Sequence, residues 1–579
     1  LGVTVRPGLA DIGATFSGGT TGKCTGFFRL RINPSDTGNI RVSSLFHLTD
    51  TLALTVDPSF QYVLANGGGV TVINEKDRRL IGNSAAAGVD LNGDGDTLDQ
   101  VQLYSPNNTN TRRYGVATSL IWTPDDDNVL QVAYTLDWGL HRQTGEMSRF
   151  NVVGGPADDF GGLRRNHALA IRTADGVSDL RQRDRKSYAI LNQFSLDYEG
   201  KFWNDLVRAN VGMRLPYLER DLHQFCYVQA QGSFSQTTPG VGFQYCTTET
   251  PSAVAPNGTV TFAGIAATNT FTPPGSEVVK YNRLLPNAGV TYRLHGEDTN
   301  QFFFAYATEL SAPRTDNLYN GGVTGFGTPA IHFSSFATVA PETSTSYDLG
   351  YRYHGESTHL SITLWNTQFK NRIVSTFDPE QGVSVDHNLG AVNMDGLDVE
   401  GGTDVDENFS LFGTFSYLKS RVVNDLAIGT VSGGTVVHAP FFVQSGILFA
   451  PTAGKQVVES PNFMGTARAQ YTMWGFRIGA DMKYVGSRFA TDVNDYKVPS
   501  YFTADADITY DLGELGWDNS YVKFNVWNLF DEKYFGSVGT SRTCFTPLKA
   551  NLTTGCTSYP LLSVGAPRTF QVTLRAALP

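Results

Sequence analysis

The 579-residue sequence lacks the features that define several common classes of protein. It contains no apolar run of about 18 residues, which is the length that a membrane-spanning helix requires. It also contains no basic run or stripe, and its net charge is −11, so nucleic acid is not an expected partner. These absences exclude a helical membrane protein and a nucleic-acid-binding protein.

Cysteine is scarce, and none of the five cysteines forms a CxxC or another zinc-type spacing. Four of them fall as two local pairs in polar, Gly/Thr-rich segments. We therefore predict the disulfides Cys226–Cys246 and Cys544–Cys556, which indicate an oxidising compartment. Cys24 is then either free or paired outside this chain, and five unrelated free thiols are the alternative.

Strict two-residue alternation of apolar and polar side chains is abundant. In the segment 501–511, Phe502, Ala504 and Ile508 share one face, whereas Asp505 and Asp507 lie on the other. Such segments predict half-polar β-strands of about ten residues, the length of a tilted strand that crosses a bilayer. About 17 strands are predicted in this way, at 40–48, 51–64, 112–122, 129–140, 188–198, 206–215, 280–293, 301–308, 345–354, 358–368, 395–405, 409–421, 464–473, 476–487, 501–511, 520–529 and 567–578, with an eighteenth near 1–7.

The connections between these strands alternate in length. Short turns such as 123–128, 295–300, 354–358, 406–408 and 474–475 alternate with long polar segments. Outer-membrane barrels have short periplasmic turns and long extracellular loops, and lipid requires every backbone polar group of a spanning sheet to be paired. The fold class predicted is therefore an all-β transmembrane antiparallel barrel. An array of β-sandwiches is the alternative. The long segments are 73–110, 141–187, 216–279, 309–344, 422–463 and 530–566.

The C-terminal region carries a more specific signal. The stretches YVKFNVWNLFDEKYFG (521–536) and GAPRTFQVTLRAAL (565–578) resemble the end of a TonB-dependent outer-membrane receptor barrel. In that family an N-L-F-D-x-x-Y motif closes the penultimate strand and G-x-P-R-x-F opens the last one. Upstream stretches such as RLLPNAGVTYRL (283–294) and 483–512 are also similar to recurrent barrel segments.

The resemblance implies a 22-stranded barrel that surrounds an N-terminal plug domain. Residues 1–579 are expected to form the β-barrel domain, with the plug, the TonB box and the first strands outside this sequence. The implied function is active uptake of a scarce, bulky nutrient across the Gram-negative outer membrane, most often a ferric siderophore. Haem, cobalamin, oligosaccharides and aromatic compounds are other substrates of the family. The expected partners are the TonB complex, the plug domain, lipid, lipopolysaccharide and a small-molecule chelate.

Other functions stay open at this point. A closed 18-stranded porin would allow passive diffusion without a plug, and the large loops would also suit surface adhesion. No catalytic constellation is present, because His141, His167 and His223 have no suitably placed Ser or Cys nucleophile. We therefore expect that the protein is not an enzyme.

Polar residues on the predicted lumenal faces are candidates to contact the plug or to line the transport path. Hydration of the barrel interior is an equally good explanation for any one of them. The candidates are Arg468, Arg477, Asp481, Lys483, Asp505, Asp507 and Arg575.

Two loop segments are candidates for ligand binding. In FGGLRRNH (160–167), Arg164, Arg165 and His167 lie beside Phe160, a combination that suits an anionic, aromatic chelate. The loop that follows 215–227 is a second candidate.

The segment DLNGDGDTLD (90–99) resembles the start of an EF-hand loop. Its flanks are not helical and position twelve is Val101, so it is not an EF-hand. A structural calcium ion is nevertheless a candidate cofactor, and a plain acidic turn is the alternative. The candidate ligands are Asp90, Asn92, Asp94, Asp96 and Asp99.

Overall fold

The fold is known from a computed structural model of the chain. It describes residues 32–76, 80, 88–91, 93, 95–97, 100–149, 156, 158–160, 171–173, 179–229, 246–247, 250–254, 260–261, 271–319, 323–324, 332–333, 339–378, 383–430, 437, 439–541, 544 and 559–577.

One large antiparallel sheet dominates the described residues and contains 24 strands. Five of these are pieces of two or three residues, at Tyr227–Gln229, Cys246–Thr247, Ala253–Val254, Val260–Thr261 and Phe271–Thr272. The others are β1 (Ser35–Arg41), β2 (Leu45–His47), β3 (Leu52–Asn66), β4 (Asn108–Asp125), β5 (Asn128–Glu146), β6 (Arg181–Phe202), β7 (Val207–Gln224), β8 (Gly275–Asn282), β9 (Leu285–Arg293), β10 (Asn300–Ser311), β11 (Glu342–His354), β12 (Thr358–Lys370), β13 (Val392–Asp404), β14 (Phe409–Val422), β15 (Phe463–Met473), β16 (Phe476–Val485), β17 (Tyr501–Asp511), β18 (Tyr521–Trp527) and β19 (Thr569–Arg575).

Each of these strands pairs with its neighbours in chain order. β1 and β2 share one position beside β3, and β8 and β9 share one position beside β7. The described strands therefore occupy seventeen positions, which confirms the strands predicted between residues 40 and 578. The predicted strand near 1–7 lies outside the described residues.

The register places apolar and polar side chains on opposite faces of the sheet. Ile478 lies opposite Ile508, and Met482 lies opposite Ala504, while Asp481 lies opposite Asp505 on the other face. Ile478, Ile508 and Met482 are 42%, 44% and 51% exposed, so no protein core covers them. An apolar face of this extent is typical of a lipid-facing wall, and the polar face then lines the interior.

The two ends of the sheet differ in the length of their connections. The short turns use left-handed residues, for example Trp474 with φ 50° before Gly475 with φ 76°. At the other end, the long connections form their own hairpins: Gly69–Asn74 with Gln100–Ser105, Val323–Thr324 with His332–Phe333, Ile373–Asp378 with Val383–Asn388, Leu426–Thr430 and Phe442–Gln444 with Ile447–Ala450, Arg488–Phe489 with Lys497–Val498, and Phe535–Val538 with Leu562–Val564.

Helices are short in the part of the chain that the structure describes. They include the α-helix Thr315–Leu318 and the 3-10 helices Leu294–Gly296 and Leu512–Leu515. None of the described helices has the length and apolar character needed to cross a membrane.

Strands β4 to β7 are longer than the sequence predicts. They contain 18, 19, 22 and 18 residues, and they extend toward the long-loop end. The predicted ends were wrong because the extensions, such as RQRDRKS (181–187), are polar on both faces. A strand that leaves the bilayer no longer needs one apolar face, so the alternation that identifies it disappears.

Buried hydrophobic clusters lie among the long connections. Leu389, Val422, Phe441 and Leu448 form part of one cluster, and Ile73, Leu103 and Leu180 belong to another. The long segments that read as polar loops therefore include packed cores at the long-loop end of the sheet.

The N-L-F-D motif forms a turn that joins three strands. The backbone amide of Asn528 donates to Asp505 Oδ1 at 2.7 Å, and the side-chain Nδ2 of Asn528 donates to the Ala566 carbonyl at 3.0 Å. Asp531 Oδ1 accepts from the Arg568 amide at 3.1 Å. The motif thus fixes the end of β18 to the end of β17 and to the start of β19.

Candidate functional site

A network of paired charges lies on the polar face of β15 to β18. Arg468 contacts Asp481 on the neighbouring strand, and its Nη1 also lies 3.0 Å from Asp507 Oδ1. Lys523 Nζ lies 3.4 Å from the other oxygen of Asp507, whose side chain is 7% exposed. We call Arg468, Asp481, Asp507 and Lys523 the paired network. It contains two cations and two carboxylates, so its charges balance.

The structure brings together only some of the predicted lumenal residues. Arg468, Asp481 and Asp507 meet in the paired network, whereas the Asp505 carboxylate accepts the Asn528 amide in the N-L-F-D turn. The remaining three lie outside that network. Their contact with a plug or a transport path stays a prediction. By register, Arg477 is opposite Thr509, Lys483 is opposite Thr503, and Arg575 is opposite Tyr521.

A second polar site lies at the long-loop end of the same face. The segment that follows β10 folds back against the wall, and its short helix, Thr315–Leu318, contacts β6. A cavity of about 470 Å³ remains beneath this segment. We call it the mouth pocket. Its polar lining consists of Thr111, Arg113, Asp137, His141, Arg220, Arg314, Thr315 and Asp316.

Tyr319 anchors the returning segment to the wall. Its hydroxyl donates to the Lys186 carbonyl at 2.7 Å and accepts from the His223 amide at 3.0 Å. Arg185 lies over the ring at 4.6 Å, and the adjacent Leu318 packs against Leu222 in a buried cluster. Burial raises the pKa of the Tyr319 hydroxyl. The hydroxyl therefore stays protonated and continues to donate.

His141 is held between two partners at the edge of the pocket. Its Nδ1 lies 2.7 Å from Thr111 Oγ1, and its Nε2 lies 3.5 Å from Asp316 Oδ1. Burial alone would raise the pKa of Asp316, but His141 together with Arg185 and Arg183 lowers that pKa to about 2. Asp316 is therefore a carboxylate near neutral pH and neutralises part of the basic wall.

The pocket nevertheless has a surplus of positive charge. Arg113 forms a bidentate pair with Asp137, with its Nε 2.7 Å from Oδ1. Arg220 donates only to backbone carbonyls, including that of Pro313 at 3.1 Å, and Arg314 is exposed. No described carboxylate lies within ion-pair distance of Arg220 or Arg314. This arrangement suits an anionic ligand that fits a cavity of this size.

The mouth pocket was not predicted from the sequence because the wall strands and the segment 312–319 that form it are far apart in the chain. Arg113, His141 and Arg220 fall near or beyond the predicted strand ends, and the segment 312–319 contacts them only in the folded chain. One signal was available. Continuing the alternation of β4, β5 and β7 outward by a few residues puts these three side chains on the polar face.

The predicted ligand-binding loop is only partly within the described residues. The Phe160 side chain is 7% exposed. Arg164, Arg165 and His167 lie outside the described residues. The role of this loop in ligand binding therefore stays a prediction.

The candidate calcium segment is also described in part. Asp90 Oδ1 accepts from the Gly93 amide at 2.5 Å, and Oδ2 accepts from the Gly95 amide at 3.0 Å. Gly93 and Gly95 have φ angles of 82° and 99°, which a residue with a side chain rarely adopts. Asp96 is described, whereas Asn92, Asp94 and Asp99 lie outside the described residues. Calcium binding here stays a prediction.

The disulfide prediction is confirmed for one pair. Cys226 and Cys246 are bonded, with a Cα–Cα distance of 5.3 Å. Cys544 also takes part in a disulfide. Its predicted partner Cys556 and the odd residue Cys24 lie outside the described residues.

Comparison with known sequences identifies related proteins. A family model described as TonB dependent receptor-like, beta-barrel matches residues 28–529. A ferrichrome outer membrane transporter/phage receptor of Escherichia coli (strain K12) is 25% identical over 242 residues, which cover 39% of this chain and 29% of that protein. A ferrioxamine receptor of Yersinia enterocolitica is 27% identical over 212 residues, which cover 36% of this chain and 26% of that protein. The matched regions span less than a third of these relatives.

Solved structures show the same fold. The ferric citrate transporter FecA in its unliganded form gives a TM-score of 0.56 at 16% identity, over 94% of this chain and 61% of that chain. The copper transporter OprC gives a TM-score of 0.57 at 12% identity, over 93% of this chain and 64% of that chain. This chain thus corresponds to somewhat under two thirds of each neighbour.

Proposed function

Because the chain belongs to the TonB dependent receptor-like β-barrel family, we propose that it forms the wall of an active transporter for a ferric siderophore. The family resides in the outer membrane of Gram-negative bacteria and consists of transporters and receptors rather than enzymes. The exposed apolar face therefore meets lipid, and the polar face surrounds the interior. The long connections then face the outside of the cell.

The mouth pocket is the observation that carries the choice of ligand. It opens on the polar face at the long-loop end, where an incoming solute would first meet the wall. Its unpaired cations, Arg220 and Arg314, favour a ligand with anionic oxygen donors at its surface. A ferric chelate with excess carboxylate or catecholate oxygens has that character.

The relatives support an iron chelate as the cargo. Two relatives with sequence similarity are named as a ferrichrome transporter/phage receptor and a ferrioxamine receptor, and one structural neighbour is named as a ferric citrate transporter. We propose that the long loops capture the chelate and that the mouth pocket holds it. Release through the interior would then require a plug domain and energy from TonB, as the family resemblance implies.

Three other functions are compatible with the same β-sheet wall. A passive porin would need neither a plug nor TonB. A receptor for oligosaccharide, cobalamin or an aromatic compound would need TonB but no iron. A copper ion is a further candidate cargo, because one structural neighbour is named as a copper transporter.

Uptake in cells separates these functions. The full-length protein should be expressed in a strain that lacks other siderophore receptors, with and without TonB, and supplied with radiolabelled iron as ferric citrate, ferrichrome or ferrioxamine B. We expect saturable uptake of at least one chelate, and only when TonB is present. Non-saturable uptake without TonB would favour the porin. Unchanged uptake of every iron chelate would contradict the proposal.

A further inference from the structure

The carboxylate of Asp316 lies between the mouth pocket and the basic wall behind it. Its Oδ1 is 3.5 Å from His141 Nε2 and 4.0 Å from Arg185 Nη2, and both distances are longer than an ordinary N–H···O hydrogen bond. This oxygen is buried and accepts no hydrogen bond within the described residues, although the side chain as a whole is 46% exposed. Charge attraction therefore holds the carboxylate against the wall without a short, directional contact.

The wall offers these cations no second carboxylate. Among the described residues, Asp316 is the only acidic side chain within ion-pair distance of His141 or Arg185. The neighbouring Arg183 donates to two backbone carbonyls, at 3.0 Å and 3.4 Å, and pairs with no described carboxylate. A buried cation that loses its counter-charge is strongly destabilising. Asp316 can therefore leave this position at low cost only when another anion takes its place.

The chain on either side of Asp316 is fixed to the wall. Arg220 donates to the Pro313 carbonyl at 3.1 Å, and the Tyr319 hydroxyl donates to the Lys186 carbonyl at 2.7 Å. Residues 314–317 span the pocket between these two attachments, and we call them the arch. The arch can turn its carboxylate toward solvent while both attachments remain in place.

We propose that Asp316 is a specificity-determining residue, an internal counter-ion that an anionic ligand of the mouth pocket must displace. The inference rests on the proposed function for its ligand and deepens it. Free carboxylate or catecholate oxygens of the ligand replace Asp316 beside His141 and Arg185 and form the charge-assisted hydrogen bonds that Asp316 lacks. A neutral ligand cannot balance the charge of the wall, so Asp316 stays in place. The pocket thus selects its ligand by charge as well as by size.

Hydrogen exchange of the arch in the purified full-length wild type tests the displacement. The probe is millimolar iron-free citrate, compared with sodium chloride at the same ionic strength, so that screening of the ion pairs is equal in both samples. We expect citrate to accelerate exchange of residues 314–317 by about fivefold or more, because the arch turns toward water. Exchange in β16 should stay unchanged. Unaltered or slower exchange of the arch in citrate would overturn the proposal.

A variant without the internal carboxylate gives a second, independent measurement. We expect D316N to bind ferric citrate about tenfold more tightly than the wild type in isothermal titration, because no internal anion competes with the ligand. Binding of uncharged ferrichrome should change by less than about threefold. If Asp316 served only to hold the arch in a binding shape, D316N would instead weaken binding of ferric citrate, and that result would overturn the proposal.

The control E309Q removes the same charge near the end of β10 and should leave both affinities unchanged. A gain in E309Q equal to that in D316N would show a general effect of charge and would contradict the role of Asp316. Heat-modifiable migration in gels confirms that each variant is folded. Exposure of the arch by citrate in a protein that takes up no iron chelate would contradict the proposed function and not this inference. Chelate uptake without any response of the arch would contradict this inference alone.

Discussion

The polar face of the sheet holds two groups of charged side chains with opposite electrostatic balance. In the paired network, Arg468 and Lys523 meet two carboxylates, and the central one, Asp507, is nearly buried. In the mouth pocket, Arg220 and Arg314 have no carboxylate partner among the described residues. The comparison suggests that balanced charges hold neighbouring strands in place, whereas surplus charges remain available to a ligand.

Removal of the Asp507 carboxylate should cause the largest effect, which is a loss of folding stability. In D507A, Arg468 loses one of the two carboxylates that it contacts, and Lys523 loses its contact with Asp507. We therefore expect the free energy of unfolding to fall by about 3 kcal/mol. Urea titration of the barrel in lipid vesicles measures this loss. The matched variant D137N disrupts the ion pair between Asp137 and Arg113, whose side chain is 56% exposed. It should lower the free energy of unfolding by less than about 1 kcal/mol. Equal losses would contradict the distinction between the two groups.

Removal of the surplus charges should affect binding rather than stability. We expect R220Q/R314Q to weaken binding of ferric citrate, an anionic chelate, by about 30-fold, because two charge-assisted contacts are lost. Isothermal titration with the purified full-length protein measures the dissociation constant. Binding of ferrichrome, an uncharged chelate, should change by less than about threefold if charge is the cause. The control K523Q should leave both affinities unchanged, and an equal loss for K523Q would remove the role of the mouth pocket.

Removal of the Tyr319 hydroxyl should have a smaller effect, which is looser docking of the returning segment. Tyr319→Phe removes a hydroxyl that contacts the Lys186 carbonyl and the His223 backbone amide. We expect this loss to weaken the docking of segment 312–319 on the wall by about 1 kcal/mol, or about fivefold in the docking equilibrium. Hydrogen exchange of residues 312–319 should accelerate. The control Tyr281→Phe removes a 3.4 Å contact to the Val339 carbonyl and should leave that exchange unchanged. Unaltered exchange in Tyr319→Phe would show that the anchor does not depend on the hydroxyl.

The smallest effect concerns Asp316, and in the wild type it should appear only in acid. The pKa of Asp316 is about 2 in the folded protein, below its ordinary value of 3.8, so its carboxylate favours the docked segment. This contribution is complete above pH 4 and is lost as the pH falls from about 4 toward 2. Hydrogen exchange of 312–319 should accelerate in that interval. The variant D316N should exchange faster already at pH 7 and lose the acid dependence, and a wild-type response centred near pH 6 would contradict this assignment.

The strands were predictable from the sequence because lipid imposes a strict pattern. Between Phe502 and Tyr510, every apolar side chain must face the bilayer, so the alternation defines the strand and its facing residues. The N-L-F-D motif was also informative. Its Asn528 and Asp531 adopt left-handed conformations with φ 50° and 54°, which Asn and Asp adopt more readily than most other residues.

The mouth pocket could not be predicted because its parts meet through tertiary contacts. Tyr319 and His223 are 96 residues apart in the sequence, and no local pattern relates them. The extension of β4 to β7 beyond their predicted ends was unpredictable for a similar reason. Arg183 and Arg185 belong to β6, yet nothing about a polar stretch distinguishes a strand in water from a loop. The packed clusters in the long connections were hidden for the same reason, since their apolar residues are scattered in sequence.

The height of the extended strands has a consequence for recognition at the cell surface. β6 contains 22 residues, and at about 3.3 Å per residue it is about 70 Å long, although about ten residues suffice to cross the hydrocarbon. The outer part of the wall formed by β4 to β7, such as residues 181–185 of β6, therefore projects beyond the lipid. A nanobody raised against this rigid β-surface would find its epitope on living cells without permeabilisation. If the mouth pocket holds a chelate as proposed, the bulk of the nanobody beside it would make it a competitive inhibitor of chelate binding.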